Sequence, residues 1–382
     1  MKLIGIVFAL AATVCGSQTV LAETKEPIKT AIVYELSGVG ATAGTNFKNG
    51  LVLGLQEINS AGGVLGRQVT YDILDTQSTP GVAKAMAQKA VDSGAVVVFG
   101  PGFSGSVIVS MKVTQQSSIP NIVGAEAANI TQGGNRYIFR TSFSQLNSMP
   151  KVARYINGTL KAKTVAMIWV NNDFGKGGRD VLTKELQKDG INVVADISSD
   201  PGQIDFTSAV LKAKQSNADA LFVYLNEEES ARILKELKKQ GYTKPVIGET
   251  TLTGEKVVEL AGDAANGAVG HVGLTADAPS PLLKSYGERF QKTYGYKPDH
   301  NGIKGYMAAY MMKAGFDKAG KVDSQALTNA LHGLEINTKQ YPGILMNVKI
   351  DDKGDLDRES FIVKVEKGKT NVVQTLPPLS AK

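Results

Sequence analysis

The 382-residue chain has one cysteine, Cys15, and three histidines, His271, His300 and His332. A lone thiol closes no disulfide within the chain and builds no thiolate zinc site. No HExxH motif and no Walker loop occur, and the histidines have no metal-ligand spacing, so they read as surface or packing residues and no metal is expected. After residue 22 no run approaches the ~18 apolar residues needed to span a membrane. Tandem repeats and low-complexity tracts are missing as well. Charge of one sign is scarce: the net value is +6. Lys235–Lys239 alternates its lysines with Glu236 and Leu237, as a solvated helix face does. A nucleic-acid stripe is continuous, so no nucleic-acid partner is expected.

Hydrophobic residues make up 42% of the chain and charged residues 20%, an ordinary globular balance. The length suggests two domains, at most three. The first 22 residues stand apart. Lys2 precedes the apolar run Leu3–Val14, and Val20-Leu21-Ala22 offers a cleavage site before Glu23. This reads as a signal peptide over residues 1–22, leaving an exported, soluble chain from Glu23 to Lys382 with no cysteine. A buried N-terminal strand is the plainer alternative. A lipid anchor on Cys15 is disfavoured, because Val14 is larger than the residue such sites place before the cysteine.

From Thr30 the chain alternates strand and helix. Thr30–Leu36, Val69–Asp75, Ala95–Phe99, Ile119–Val123 and Tyr137–Thr141 read as buried strands. Between them Phe47, Leu51, Leu55 and Ile58 recur at helical spacing, and Pro80–Ser93 and Ser104–Ser117 are helical. The alternation restarts at Thr164–Val170 and continues through Ile191–Ile197, Ala220–Leu225, Val246–Gly248 and Val269–Leu274. Repeated βα units imply parallel sheets covered by helices on both faces, in two lobes that separate near residues 142–163. The last part is different: Leu282–Tyr294, Gly305–Ala319 and Ser324–His332 read as helices, followed by a β-rich tail, Ile344–Val365. Residues 23–142 and 274–342 are assigned to one lobe, and 143–273 and 343–382 to the other. The chain then crosses three times between lobes, an arrangement suited to hinge closure.

Gly100-Pro101-Gly102-Phe103-Ser104-Gly105 fits GxGxxG, follows a strand and opens a helix, with Glu126 about 20 residues on. An NAD-dependent oxidoreductase is therefore one reading. Against it, this is the third strand of its lobe, and an exported protein has little access to nicotinamide cofactors. Free N–H groups at a helix start, beside the Ser104 hydroxyl, suit any small anion, a carboxylate included. The plain alternative is a glycine turn that permits close packing. Gly102-Phe103-Ser104-Gly105-Ser106 falls one residue short of a GxSxG nucleophile elbow. A non-enzymatic binder without a cofactor leads. A sensor domain of the same fold loses ground, because nothing spans a membrane after residue 22.

Several stretches occur in an order that resembles the periplasmic solute-binding proteins of branched-chain amino-acid ABC transporters. They are Leu36-Ser37-Gly38, the specific run Glu57-Ile58-Asn59-Ser60-Ala61-Gly62-Gly63-Val64-Leu65-Gly66-Arg67, Gly100-Pro101 with Ser104, Phe139-Arg140-Thr141, Asp173-Phe174-Gly175, Asp205-Phe206, and Ala261-Gly262 with Gly267. The resemblance implies a type I periplasmic-binding-protein fold: an α/β chain of two Rossmann-like lobes on a three-segment hinge, closing on a small-molecule ligand. It also implies docking on a membrane permease, and a monomer is expected.

Matched to the family pattern, Ser104 stands where a serine holds the ligand carboxylate. Gly124, Ala125, Glu126 and Ala127 form the next ligand loop, Phe174 replaces a common Tyr, and Tyr224 is a cleft aromatic. Glu249 matches the acid that pairs with a ligand ammonium. The loop Gly124–Ala127 lacks the hydroxyl that amino-acid binders often carry, Val39 replaces a Pro, and Ala43 replaces an aromatic, which enlarges the pocket. An α-amino acid is favoured through Glu249. An aromatic carboxylate, such as a benzoate or phenylpropanoid acid set against Phe174 in the space left by Ala43, is the alternative. Its hydroxyl would donate to Glu126 or Glu249, and Gly270–Thr275 looks closer to aromatic-acid binders.

Overall fold

The computed structural model describes residues 25–380 of the chain. The signal-peptide reading of residues 1–22, with Cys15, lies outside them. Among the described residues no helix is long and apolar enough to cross a membrane.

The first sheet is built from β1 (Ile28–Tyr34), β2 (Val69–Asp75), β3 (Val98–Phe99), β4 (Asn121–Val123) and β5 (Ile138–Arg140). All pairings are parallel, in the order β2-β1-β3-β4-β5. α1 (Ala41–Ser60), α2 (Pro80–Asp92), α3 (Ser104–Gln116) and the single turn α4 (Asn129–Gln132) connect them. Five consecutive residues of β1, Thr30–Tyr34, are buried, as a strand covered on both faces requires.

The second run begins with α5 (Gln145–Gly158) and β6 (Thr164–Val170), then α6 (Asp173–Lys188), β7 (Asn192–Ser199), α7 (Thr207–Gln215) and β8 (Ala220–Tyr224). α8 (Glu227–Lys239), β9 (Val246–Glu249), α9 (Thr250–Thr253), α10 (Glu255–Ala261) and β10 (Val269–Val272) complete it. The sequence reading left 142–163 as a break between lobes, yet α5 occupies most of it. Pro150 hid the helix, because a proline inside a helix removes a hydrogen bond and normally argues against one. Burial of Met149, Val152, Ala153 and Ile156 on one face outweighs that loss.

Three helices then follow: α11 (Pro281–Tyr294), α12 (His300–Ala319) and α13 (Ser324–Leu331). They return to the first lobe. α12 lies on α1 so closely that a Cβ on Gly50 would meet Gly302 O at 1.9 Å, and one on Gly305 would meet Phe47 O at 2.0 Å. Any side chain at either glycine would push the helices apart. The tail divides. β11 (Glu335–Ile336), β12 (Val348–Ile350) and β13 (Leu356–Asp357) form a small antiparallel sheet of their own. Ile344, Leu345, Val348 and Ile350 pack into the core shared with α1 and α12, because their apolar side chains have that surface to cover, whereas the sequence reading gave the whole tail to the second lobe. β14 (Ser360–Glu366) and β15 (Lys369–Leu376) do join the second sheet, antiparallel to β10, in the order β15-β14-β10-β9-β8-β6-β7. The expected architecture of two α/β lobes with flanking helices is what the chain forms.

The lobes meet at three crossovers: β5 to α5, β10 to α11, and β13 to β14. Arg358, in the third and 1% exposed, ties them together. Its Nε donates to Gly273 O at 3.4 Å in the second crossover, and its Nη1 donates to Thr141 O at 3.3 Å in the first. The guanidinium lies 4.6 Å from the centre of the Phe143 ring, and Lys151 Nζ lies 4.8 Å from it. Lys151 Nζ also donates to Arg358 O at 3.3 Å and to Ser360 Oγ at 2.8 Å. Burial pulls Arg358 down to about 9 and Lys151 down to about 8.

Candidate functional site

A cavity of about 320 Å³ opens between the lobes. The first lobe lines it with the ends of β1, β3 and β4 and the start of α12; the second contributes the starts of α6, α8 and α9. This placement follows from the topology: in open α/β sheets, ligand crevices form at the carboxyl ends of the strands.

At the end of β1, Tyr34 stacks on Phe47 with ring centres 4.1 Å apart. Its hydroxyl occupies the space where side chains on Gly102 and Gly124 would stand. The next residue, Glu35, is 1% exposed. Gly102 N–H donates to Glu35 Oε2 at 2.9 Å and Phe103 N–H to Glu35 Oε1 at 3.2 Å. Burial pushes the Glu35 carboxyl above its ordinary range, and these N–H bonds pull the other way. This corrects the expectation of free N–H groups across the glycine loop, since two of them already hold the chain's own carboxylate. The dinucleotide reading of Gly100–Gly105 loses its physical basis for the same reason. Gly100 and Gly102 leave the room that Tyr34 fills.

Ser104 opens α3 on the cavity wall. Its Oγ accepts from Ala127 N–H at 3.2 Å, which leaves its proton to donate. Gly124 and Glu126 also line the cavity, but Ala125 and Ala127 turn into the core. Arg140 dictates this, donating from Nη1 to Ala125 O at 2.6 Å and from Nη2 to Ala127 O at 2.7 Å while Nε pairs with Asp355 Oδ1 at 2.5 Å. Glu126 Oε1 pairs with Lys304 Nζ at 2.9 Å, so it is not the free acceptor expected for a ligand hydroxyl. Val39 and Ala43 stand at the wall where the enlarged pocket was expected.

Phe174 lines the second-lobe side and stacks on Tyr224 at 4.1 Å. Tyr224 itself is fully buried behind it and is outside the lining. Burial raises its hydroxyl well above the ordinary value, and the charges of Glu126 and Glu249 add to this. Gln145 Nε2 donates to Tyr224 Oη at 3.0 Å and to Phe174 O at 2.7 Å, while its Oε1 accepts from Ala128 N–H at 3.2 Å. One side chain thus joins the ligand loop to the opposite wall.

Glu249 is not part of the cavity wall. It is 3% exposed at the start of α9, with His271 Nδ1 2.8 Å from Oε1 and Thr250 N–H donating to Oε2 at 3.4 Å. Its carboxylate is turned onto these neighbours and stands outside the cavity lining, where the resemblance implies an ammonium partner. The acid that reaches the cavity from this lobe is Glu227, the first residue of α8, whose Oε1 lies 4.0 Å from His300 Nε2. Burial raises the Glu227 carboxyl and lowers the His300 imidazole well below its usual value.

Glu35, Gln145, Glu227, His300, Asn301 and Lys304 were missed in the sequence. Lys304 carried a signal, as a charge inside an otherwise buried helix. Glu35 carried a weaker one, as an acid directly after a buried strand.

The sequence profile described as "Periplasmic binding protein" matches residues 27–370. The chain belongs to that family. Its members are solute-binding transport proteins, not catalysts. Relatives of this periplasmic binding protein include the Leu/Ile/Val-binding protein BraC3 of Rhizobium johnstonii, 26% identical over 363 residues, covering 94% of this chain and 97% of the relative. The Pseudomonas aeruginosa leucine-, isoleucine-, valine-, threonine- and alanine-binding protein is 27% identical, with 93% of each chain covered. Among solved structures, the branched-chain amino-acid transporter substrate-binding protein LivJ of Streptococcus pneumoniae with isoleucine has a TM-score of 0.84 at 23% identity, covering 92% and 100%. A solute-binding protein of an ABC transporter from Rhodopseudomonas palustris with 3,4-dihydroxybenzoic acid has a TM-score of 0.83 at 23% identity, covering 92% and 97%. At these identities the two structures share the fold.

Proposed function

We propose that this periplasmic binding protein is the receptor of an ABC importer, capturing a small carboxylate between its lobes and delivering it to a membrane permease. The observation that carries the reading is the cavity itself. It lies at the strand ends between two hinged lobes, and charged and polar groups from both converge on it. Ser104 Oγ–H at the start of α3 is the donor for the ligand carboxylate. Gly124, Glu126 and Phe174 complete the contacts named from the sequence. Contacts from both lobes favour the closed state, because a ligand shifts an equilibrium by its differential affinity. The N-terminal leader reading and the family's setting support a periplasmic location, where the protein would work as a monomer.

An aromatic acid is a second reading. Phe103, Phe174 and Tyr34 supply ring faces around the cavity, and Ala43 leaves it wide. Thermal-shift screening of the purified protein against amino acids and aromatic acids tests the proposal. A ligand at 100 times its dissociation constant adds about 2.7 kcal/mol. A protein whose melting temperature moves with no compound of either class is not this receptor.

A further inference from the structure

Among the described residues the cavity wall carries four carboxylates, Glu35, Glu126, Asp173 and Glu227, and one ammonium, Lys304. Their surroundings differ. Glu35 holds two backbone N–H groups, and Glu126 holds Lys304. Asp173 is exposed, so water solvates it. Glu227 has no charged partner in contact, and only its own N–H and Asn301 hydrogen-bond it. Its side chain is 19% exposed, and the one basic group within 4.0 Å is the His300 ring, which burial keeps neutral. Asn301 and the more distant Lys304 ease its charge, while Glu126 opposes them.

The start of a helix favours an acid, so α8 offers an ordinary explanation. It is already met elsewhere. Asn226 caps α8 in a reciprocal box with Glu229, whose Oε2 accepts from Asn226 N–H at 3.0 Å. Glu227 is surplus to that cap and faces the cavity. A second observation points the same way. Thr251 Oγ1 and His300 Nδ1 are buried without a hydrogen-bond partner, and both residues line this cavity. His300 is 6% exposed. Buried polar atoms in native proteins are paired, so unpaired ones on a cavity wall are open to a polar ligand.

We propose that Glu227 reads an ammonium group of the ligand, in place of the buried Glu249, and that the transported compound is an ammonium-bearing carboxylate. The inference rests on the receptor reading above and chooses between its two ligand classes. An aromatic acid without nitrogen would add a negative charge to a wall that already has an excess of them. An ammonium offsets the carboxylate whose nearest basic group, His300, is neutral. The carboxylate end then meets Ser104 on the first lobe and the ammonium meets Glu227 on the second, so one short molecule bridges the cleft.

Calorimetry with L-leucine, L-lysine and benzoate as probes, on the wild type and on Glu227→Gln, Glu249→Gln and Glu228→Gln, tests this. Glu228 is an exposed neighbour on the same helix turn and serves as the control. The expected result is that an amino acid binds the wild type more tightly than benzoate. Glu227→Gln should then weaken that amino acid about 10- to 100-fold, the range for a hydrogen bond to a charged group, with little change at Glu228→Gln. Equal affinity of the wild type and Glu227→Gln for the amino acid overturns the proposal. So does a loss confined to Glu249→Gln, or a preference for benzoate that Glu227→Gln leaves untouched; in both cases the receptor reading survives. If the wild type binds none of the probes, the receptor reading for these carboxylates fails and the assignment of Glu227 fails with it. Circular dichroism melting of each variant separates lost binding from lost folding.

Discussion

The crossovers and the cavity both bury charge, but of opposite sign and answered by different groups. At the crossovers Arg140, Lys151 and Arg358 sit at 3% exposure or less. Arg140 gives all three guanidinium nitrogens to carbonyls, a hydroxyl and Asp355, and Arg358 gives two of its own to carbonyls in the other crossovers while its Nη2 is buried without a partner. At the cavity the excess is carboxylate, and it is incompletely answered. Charge turned onto backbone carbonyls fixes how the chain passes from lobe to lobe. Charge left short of a partner on a cavity wall is instead available to a ligand. The contrast separates a cluster that holds the fold from one that selects what enters it.

The strongest way to break the first half of this contrast is Arg140→Met. It leaves Asp355 buried without its partner and releases the carbonyls of Ala125 and Ala127. A loss of about 3–5 kcal/mol is expected, the usual result of removing one member of a buried ion pair. Urea unfolding would measure it, and a loss below about 1 kcal/mol would show that the site is solvated or rearranges. Ser104→Ala tests the second half. It should weaken carboxylate binding by about 1–3 kcal/mol, the cost of leaving a buried charge one donor short, with a much smaller effect on unfolding. Unchanged affinity by calorimetry would remove Ser104 from the ligand contacts.

The smallest effect concerns Lys151. Its folded value of about 8 lies below that of the free side chain. Between about 8 and the ordinary lysine value of 10.5 the unfolded chain therefore binds more protons, and the contribution of Lys151 to stability rises with pH. As pH falls through about 8 that contribution is lost. Wild type should gain on Lys151→Met as pH is raised from 7 to 10, read as the difference in urea midpoints. A difference that stays constant over this range would refute the assignment.

Much of the architecture was legible in the sequence. The βα alternation reports burial directly, as in the runs Thr30–Tyr34 and Ala220–Tyr224, where every residue is buried. Ser104, Gly124, Glu126 and Phe174, named from the family resemblance, all stand on the cavity wall. Local pattern could not supply the pairings. Glu126 meets Lys304 across 178 positions, and Arg140 meets Asp355 across 215. Glu249 stands off the wall for the same reason: one neighbouring strand, β10, brings His271 to its carboxylate. Tyr224 was near the mark in sequence but stands one ring behind the wall, with Phe174 in front of it.

The contact of α12 with α1 bears on the order of events at the ribosome. The chain delivers β1 and α1 first, then the rest of the first sheet and the second lobe as far as β10, and only afterwards the helix that covers α1. Until then Phe47, Leu51 and Leu55, all fully buried in the finished protein, lack their partners on α12. Domains usually form as they emerge, and contacts so distant along the chain form late. The first-made part of this protein is thus among the last to be completed. A nascent chain halted before Asp299 should remain open to protease throughout its first lobe, whereas the second sheet would lack only β14 and β15. For a protein of a periplasmic family, such delay keeps the early segment loose while it has yet to cross a membrane.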